Sequence, residues 1–146
     1  MTQEDKELLL KDLCARLPYG VKLECKWKTP APNGTYGMIN TMNSFVLDQI
    51  CNIDDTDVPF DEVKPYLFPL SSITEEQRND MSKLLIDTQK NYPPYGELNM
   101  KGCDNLFICV VKQANTFINY CLTHHLDING LIEKELAIDA TRLNIY

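Results

Sequence analysis

Hydrophobic and polar residues alternate without a break from Val21 to Lys28. Side chains on a strand point to opposite faces in turn. Val21, Leu23, Cys25 and Trp27 therefore share one face, and Lys22, Glu24, Lys26 and Lys28 share the other. One apolar and one solvated face marks an antiparallel-type sheet, not the doubly covered parallel sheet of most nucleotide enzymes. Ahead of this strand the period changes. Leu9, Leu10, Leu13 and Leu17 recur at the spacing of one helix face, which predicts a helix over residues 2–17. Thr2 suits its N-cap, and Glu4, Asp5 and Glu7 sit where the helix dipole favours negative charge. Pro18-Tyr19-Gly20 stops the helix and turns the chain into the strand.

Pro30, Pro32 and the Asn33-Gly34 pair mark a loop. Further strands are expected over residues 36–41, 44–53 and 58–67, with Pro65 making the last of these an edge. The result is a small meander of three to five strands, one closure of which is a barrel like that of SH3 domains. Ser72 with Glu75, and Thr74 with Gln77, offer alternative capping boxes for a second helix striped by Met81, Leu84 and Leu85. Tyr92-Pro93-Pro94-Tyr95-Gly96 breaks it. A third helix is expected from Asp104 to His124, with Leu106, Val110, Phe117 and Cys121 near one line and a broad apolar stripe. A turn at 127–130, a short helical piece over 131–136 and an extended tail complete the chain. The expected fold is α+β, a single domain over residues 1–146: an N-terminal helix, a small antiparallel sheet and two further helices packed on it.

Composition narrows the function classes. At 146 residues, 44% apolar and 24% charged, the chain can bury a genuine core. A net charge of −7 repels phosphate backbones and disfavours nucleic acid as a partner. No apolar stretch approaches the ~20 residues that cross a bilayer, and Leu8-Leu9-Leu10 is too short for a secretion signal. No membrane partner is expected. Six cysteines lie scattered, Cys25 and Cys109 within apolar runs, and read as reduced thiols in a cytoplasm.

Candidate chemistry is sparse. Cys121, His124, His125 and Asp127 form one cluster of metal-type residues. The competing reading is a helix C-terminus, where histidines bond the last carbonyls and suit the dipole. Asp54, Asp55 and Asp57 lack the glycine and glutamate of a calcium loop. The chain carries no Gly-x-Ser-x-Gly and no phosphate-cradling glycine loop, and no cofactor is expected. Tyr66, Phe68, Tyr92 and Tyr95, each near proline, are the candidate binding residues, because exposed aromatics there give rigid contact area. Packing against the helices as a satellite of the core is the alternative.

Three segments carry a resemblance: Lys6 to Val21, Glu62 to Glu76 (with Lys64-Pro65-Tyr66-Leu67-Phe68-Pro69-Leu70) and His124 to Lys134 (with Leu126-Asp127-Ile128-Asn129-Gly130). In that order they resemble a family of small uncharacterised proteins of Bacteroides-type gut bacteria and their prophages. The resemblance implies a bacterial or phage cytoplasmic origin and brings no activity with it. The expected function is therefore non-enzymatic: a protein that binds another protein or itself, one version being an inhibitor of a host defence system. The alternative is a small metal-dependent enzyme or ligand-binding barrel built on Cys121, His124, His125 and Asp127.

Overall fold

The computed structural model describes residues 1–26, 37–51, 60–90 and 100–146. Trp27, Tyr92, Tyr95 and the acidic loop at 54–57 lie outside the described residues. The chain divides into two compact units. Met1–Leu70 with Leu122–Tyr146 make the first, and Ser71–Cys121 the second.

The first unit opens with α1 (Gln3–Arg16). Thr2 accepts the Asp5 N–H at 3.1 Å and donates its own N–H to the Asp5 carboxylate at 3.2 Å, a reciprocal cap that satisfies two otherwise unpaired donors. Leu9 and Leu13 point inward with no exposure. A 3-10 turn over Leu17–Tyr19 ends at Gly20, whose φ of 62° lies in the left-handed region that side chains resist. β1 (Lys22–Lys26) then pairs antiparallel with β2 (Gly37–Thr41), Lys22 opposite Thr41 and Lys26 opposite Gly37. The alternation read from the sequence holds: Val21, Leu23 and Cys25 are buried.

Residues 44–51 depart from the expected strand and form α2 (Ser44–Cys51). The Asn43 side chain accepts the Val46 N–H at 3.0 Å, and the Asn43 carbonyl accepts the Leu47 N–H at 3.0 Å. An asparagine in that place starts a helix. A short apolar run with β-branched and aromatic residues does not by itself distinguish strand from helix. Val46 and Leu47 both pack against the core, as neighbours on one helix face can and neighbours on a strand cannot.

β3 (Val63–Pro69) pairs with β1 antiparallel, Leu23 opposite Pro65 and Cys25 opposite Val63. Its later residues pair in parallel with β4 (Leu126–Asp127) and β5 (Ile138–Asp139). β3 is thus the most connected strand of a mixed five-stranded sheet, not an edge. Pro65 fits there for a geometrical reason. The Leu67 carbonyl accepts the Ala140 N–H at 2.8 Å, so Leu67 turns its backbone groups toward β5. Alternation turns those of Pro65 the same way, and β5 begins its pairing only at Tyr66. The donor that proline lacks falls beyond the end of that ladder.

One ladder position is filled by a side chain. The β1–β3 register continues to Lys22 opposite Tyr66, one step past Leu23 and Pro65. There the Tyr146 hydroxyl accepts the Lys22 N–H at 3.1 Å and donates to the Tyr66 carbonyl at 2.7 Å. It links two groups that a regular antiparallel pair would join directly. Between β4 and β5, Leu131 to Leu136 form successive turns closed by the Leu136 N–H on the Leu131 carbonyl, where the sequence suggested a helical piece. The core gathers Leu9, Leu13, Leu23, Val63, Leu67 and Leu131 with their neighbours from every part of this unit.

The second unit is helical. α3 (Glu75–Lys90) starts from the Thr74 and Gln77 capping box, the second of the two expected starts. α4 (Met100–Thr123) begins one turn before Asp104, so Asp104 lies inside the helix rather than at its cap. The Tyr120 hydroxyl donates to the Gln77 carbonyl at 3.0 Å and ties α4 to α3.

Changing Tyr146→Phe keeps the ring and removes the hydroxyl link. The Lys22 N–H and Tyr66 C=O then lose their partner where water can reach them, at a cost of about 0.5–1.5 kcal/mol. Urea unfolding of the variant against wild type measures it.

Candidate functional site

The first unit holds a cluster of polar side chains that the apolar pattern does not announce. Asp12 and Arg16 stand one helical turn apart on the inner face of α1, and both are fully buried. The Arg16 Nε meets Asp12 Oδ2 at 2.6 Å, and Nη2 meets Oδ1 at 3.1 Å. This two-pronged contact matches the flat fork of a guanidinium to a carboxylate. Nη2 also donates to the Leu126 carbonyl at 2.8 Å, and the Asn129 amide donates to Asp12 Oδ1 at 2.8 Å. The pair thereby fastens α1 to β4 and the bend after it, across more than 100 residues of sequence.

His125 stands beside this clasp. Its φ of 54° places it in the left-handed region, where it turns the chain from the end of α4 into β4. Its ring stacks on Tyr146, centroids 4.2 Å apart and planes 16° from parallel, while Phe68 lies 5.7 Å from the same tyrosine. Burial pushes the His125 pKa down to about 4, and the positive charges of Arg16 and His124 push the same way. The imidazole is therefore neutral near pH 7. Its Nδ1 and the Arg16 Nη1 are buried with no hydrogen-bond partner among the described residues. Burial likewise raises the Tyr146 hydroxyl above its ordinary value, so the phenol keeps the proton it donates to Tyr66.

Two of the four proposed metal residues, Asp127 and His125, have other partners. Both Asp127 carboxylate oxygens accept backbone N–H groups, from Leu131 at 2.9 Å and Ile132 at 2.8 Å, and so start the turns that follow. Cys121 is buried, and His125 faces Tyr146. Among the described residues no three His, Cys, Asp or Glu side chains gather where they could hold one ion. The thiol most embedded in the sheet, Cys25, is raised by burial, which works against nucleophilic use.

Of the candidate binding aromatics, Tyr66 is buried, 5% exposed; burial first and the Glu24 carboxylate second raise its pKa. Phe68 is half-buried against Tyr146. Both belong to the packed alternative. Tyr92 and Tyr95 lie outside the described residues.

The second unit carries the opposite anomaly. Leu84 and Ile86 on α3, and Ile108, Val110, Val111 and Ile118 on α4, are each 40% or more exposed. Cys109 and Tyr120 mark the covered side of α4. The outer side is apolar without being buried. Charges on α3 are dense, with a Lys83–Asp80 pair at 3.2 Å, whereas α4 between Leu106 and Thr123 has Lys112 alone. No helix among the described residues is long and apolar enough to cross a membrane.

No family model matches the chain, and neither a curated protein nor a solved structure matches it.

Sequence reasoning passed over Asp12, Arg16, Asn129 and Tyr146. One signal was present. Asp12 and Arg16 fall on the same stripe as Leu9 and Leu13, where a charge is out of place unless paired. The roles of Asn129 and Tyr146 depend on contacts more than 100 residues apart and left no local trace.

Asp12→Ala leaves Arg16 buried without its counter-ion and should cost about 3–5 kcal/mol, whereas Asp12→Leu with Arg16→Met should recover most of that loss. Chemical denaturation of the three proteins tests it. Between pH 6.5 and about 4 the unfolded chain protonates His125 and the folded chain does not. Stability is therefore full above pH 6.5 and declines as pH falls through that window. His125→Gln should flatten the decline, as read from the urea midpoint across the range.

Proposed function

We propose that this protein acts by binding another protein through its helical unit. The observation that carries the reading is the exposed apolar outer side of α4, with Ile108, Val110, Val111 and Ile118 each at least 40% open to solvent. Contiguous apolar surface on a water-soluble unit costs free energy unless a partner covers it, and such patches mark interaction sites. Aliphatic side chains at helical spacing suit a partner groove or a partner helix. The buried charges of the first unit are already engaged: Asp12 with Arg16, and Asp127 with two backbone N–H groups. Origin in a gut bacterium or its prophage, a cytoplasmic setting and action on a host defence system belong to the same proposal and rest on the resemblance alone. A sheet curled as in SH3 domains would leave the reading unchanged, because the binding residues lie on helices. Among the described residues nothing favours the metal-dependent alternative.

The test is affinity capture from a lysate of the source cells, with mass spectrometry, using wild type and the exposed-face variant Val110→Asp. A protein retained by wild type and reduced at least tenfold by the variant is the expected result. Equal retention by both, with circular dichroism showing both folded, rejects the reading.

A further inference from the structure

We infer that residues 141–146 form a strap that opens and closes over β1 and β3, with the Tyr146 side chain as its fastening. The inference concerns the first unit and does not depend on the interaction reading above. Ala140 fixes the base of the strap: it is fully buried, and its N–H donates to the Leu67 carbonyl at 2.8 Å. Beyond it Thr141, Arg142, Leu143 and Asn144 are all exposed. Thr141 bonds the neighbouring Asp139 carboxylate. Among the described residues, the hydrogen bonds of residues 142–146 are that of the Leu143 N–H to the Ala140 carbonyl and the two of the Tyr146 hydroxyl. Of these, only the Tyr146 hydroxyl reaches the sheet.

Release costs the backbone little. The hydroxyl stands between the Lys22 N–H and the Tyr66 carbonyl, two groups that an antiparallel pair joins directly. When the phenol withdraws, the strands can close on each other and both groups keep a partner. The fastened form also carries a cost of its own. Arg16 Nη1 and His125 Nδ1 are buried without a hydrogen-bond partner among the described residues, and His125 is held at a φ of 54°. The phenol ring stacks on that imidazole, and the Arg16 charge lies close enough to act on both rings. Lifting the ring gives water a route to these atoms. Holding the strap down are the stack on His125 and the contact with Phe68. The hydrophobic hold is partial, because Tyr146 stays 46% exposed. Two forms that satisfy different groups lie close in free energy, which puts the open form at about 0.1–10% of molecules.

The experiment is nuclear magnetic resonance relaxation dispersion on the full chain, which detects minor forms exchanging in microseconds to milliseconds. The ring signals of Tyr146, His125 and Phe68 should share one exchange process, while the core methyl groups of Leu9 and Leu13 stay flat. Tyr146→Phe lacks the fastening hydroxyl, and its open population should rise about three- to tenfold. Tyr146→Ala should leave the strap open on a folded unit, as circular dichroism reads. Its His125 pKa should then climb from about 4 toward the ordinary 6.5, because burial is the largest cause of the shift, while the Arg16 and His124 charges remain. Flat profiles at the three rings of wild type overturn the inference, whether or not the alanine variant folds. So does an exchange shared by Leu9 and Leu13, which is unfolding of the whole unit rather than release of a strap. An open population in Tyr146→Phe equal to that of wild type overturns it as well.

Discussion

A guanidinium withdrawn from water must find its counter-charge and its hydrogen bonds inside the protein, or the fold does not form. Arg16 meets that condition through Nε and Nη2, with the Asp12 carboxylate and the Leu126 carbonyl, while Nη1 stands without a partner among the described residues, and Asp12 in turn takes the Asn129 amide. The arrangement fixes more than one pair. Holding the Leu126 carbonyl sets where β4 begins, and His125 precedes it in the left-handed conformation. The orientation of His125 gives Tyr146 its stacking partner, and Tyr146 bridges β1 and β3. α1, the sheet and the final segment are thereby tied through one chain of polar contacts. Replacing such a pair by apolar groups is often neutral, so its value lies in selecting one arrangement of these segments rather than in raw stability.

Much of the local structure was legible from residue order. The reciprocal cap of Thr2 and Asp5, the alternation through β1 and the Thr74 start of α3 follow from rules that act within a few residues. The errors share a cause. Residues 44–51 combine Phe, Val, Leu and Ile in a run that fits either period, and the Asn43 cap decided for helix. β4 and β5 are two residues each, too short to show any period, and their parallel pairing with β3 depends on distant contacts.

The candidate sites divide in the same way. The histidine and cysteine cluster stood out because the residue types are rare, but rarity is not geometry. Asp127 caps a turn and His125 lies against an aromatic ring. Tyr66, a candidate binding aromatic with packing against the core as its alternative, is buried. The apolar stripe of α4 was visible in the sequence as a broad one and was read as packing on the sheet. Only exposure separates a stripe that is covered from one that is open.

The helical unit leaves the sheet-bearing unit after Leu70 and returns at Leu122, so it is an insertion in a fold whose two parts are separated by Ser71–Cys121. During synthesis β3 emerges with β1 to pair with, but its remaining partners arrive only with the final 25 residues. Until then an unpaired strand edge stands open while Ser71–Cys121 is made, and such edges recruit other chains. Slow passage through the insertion lengthens the time for which that edge stands open.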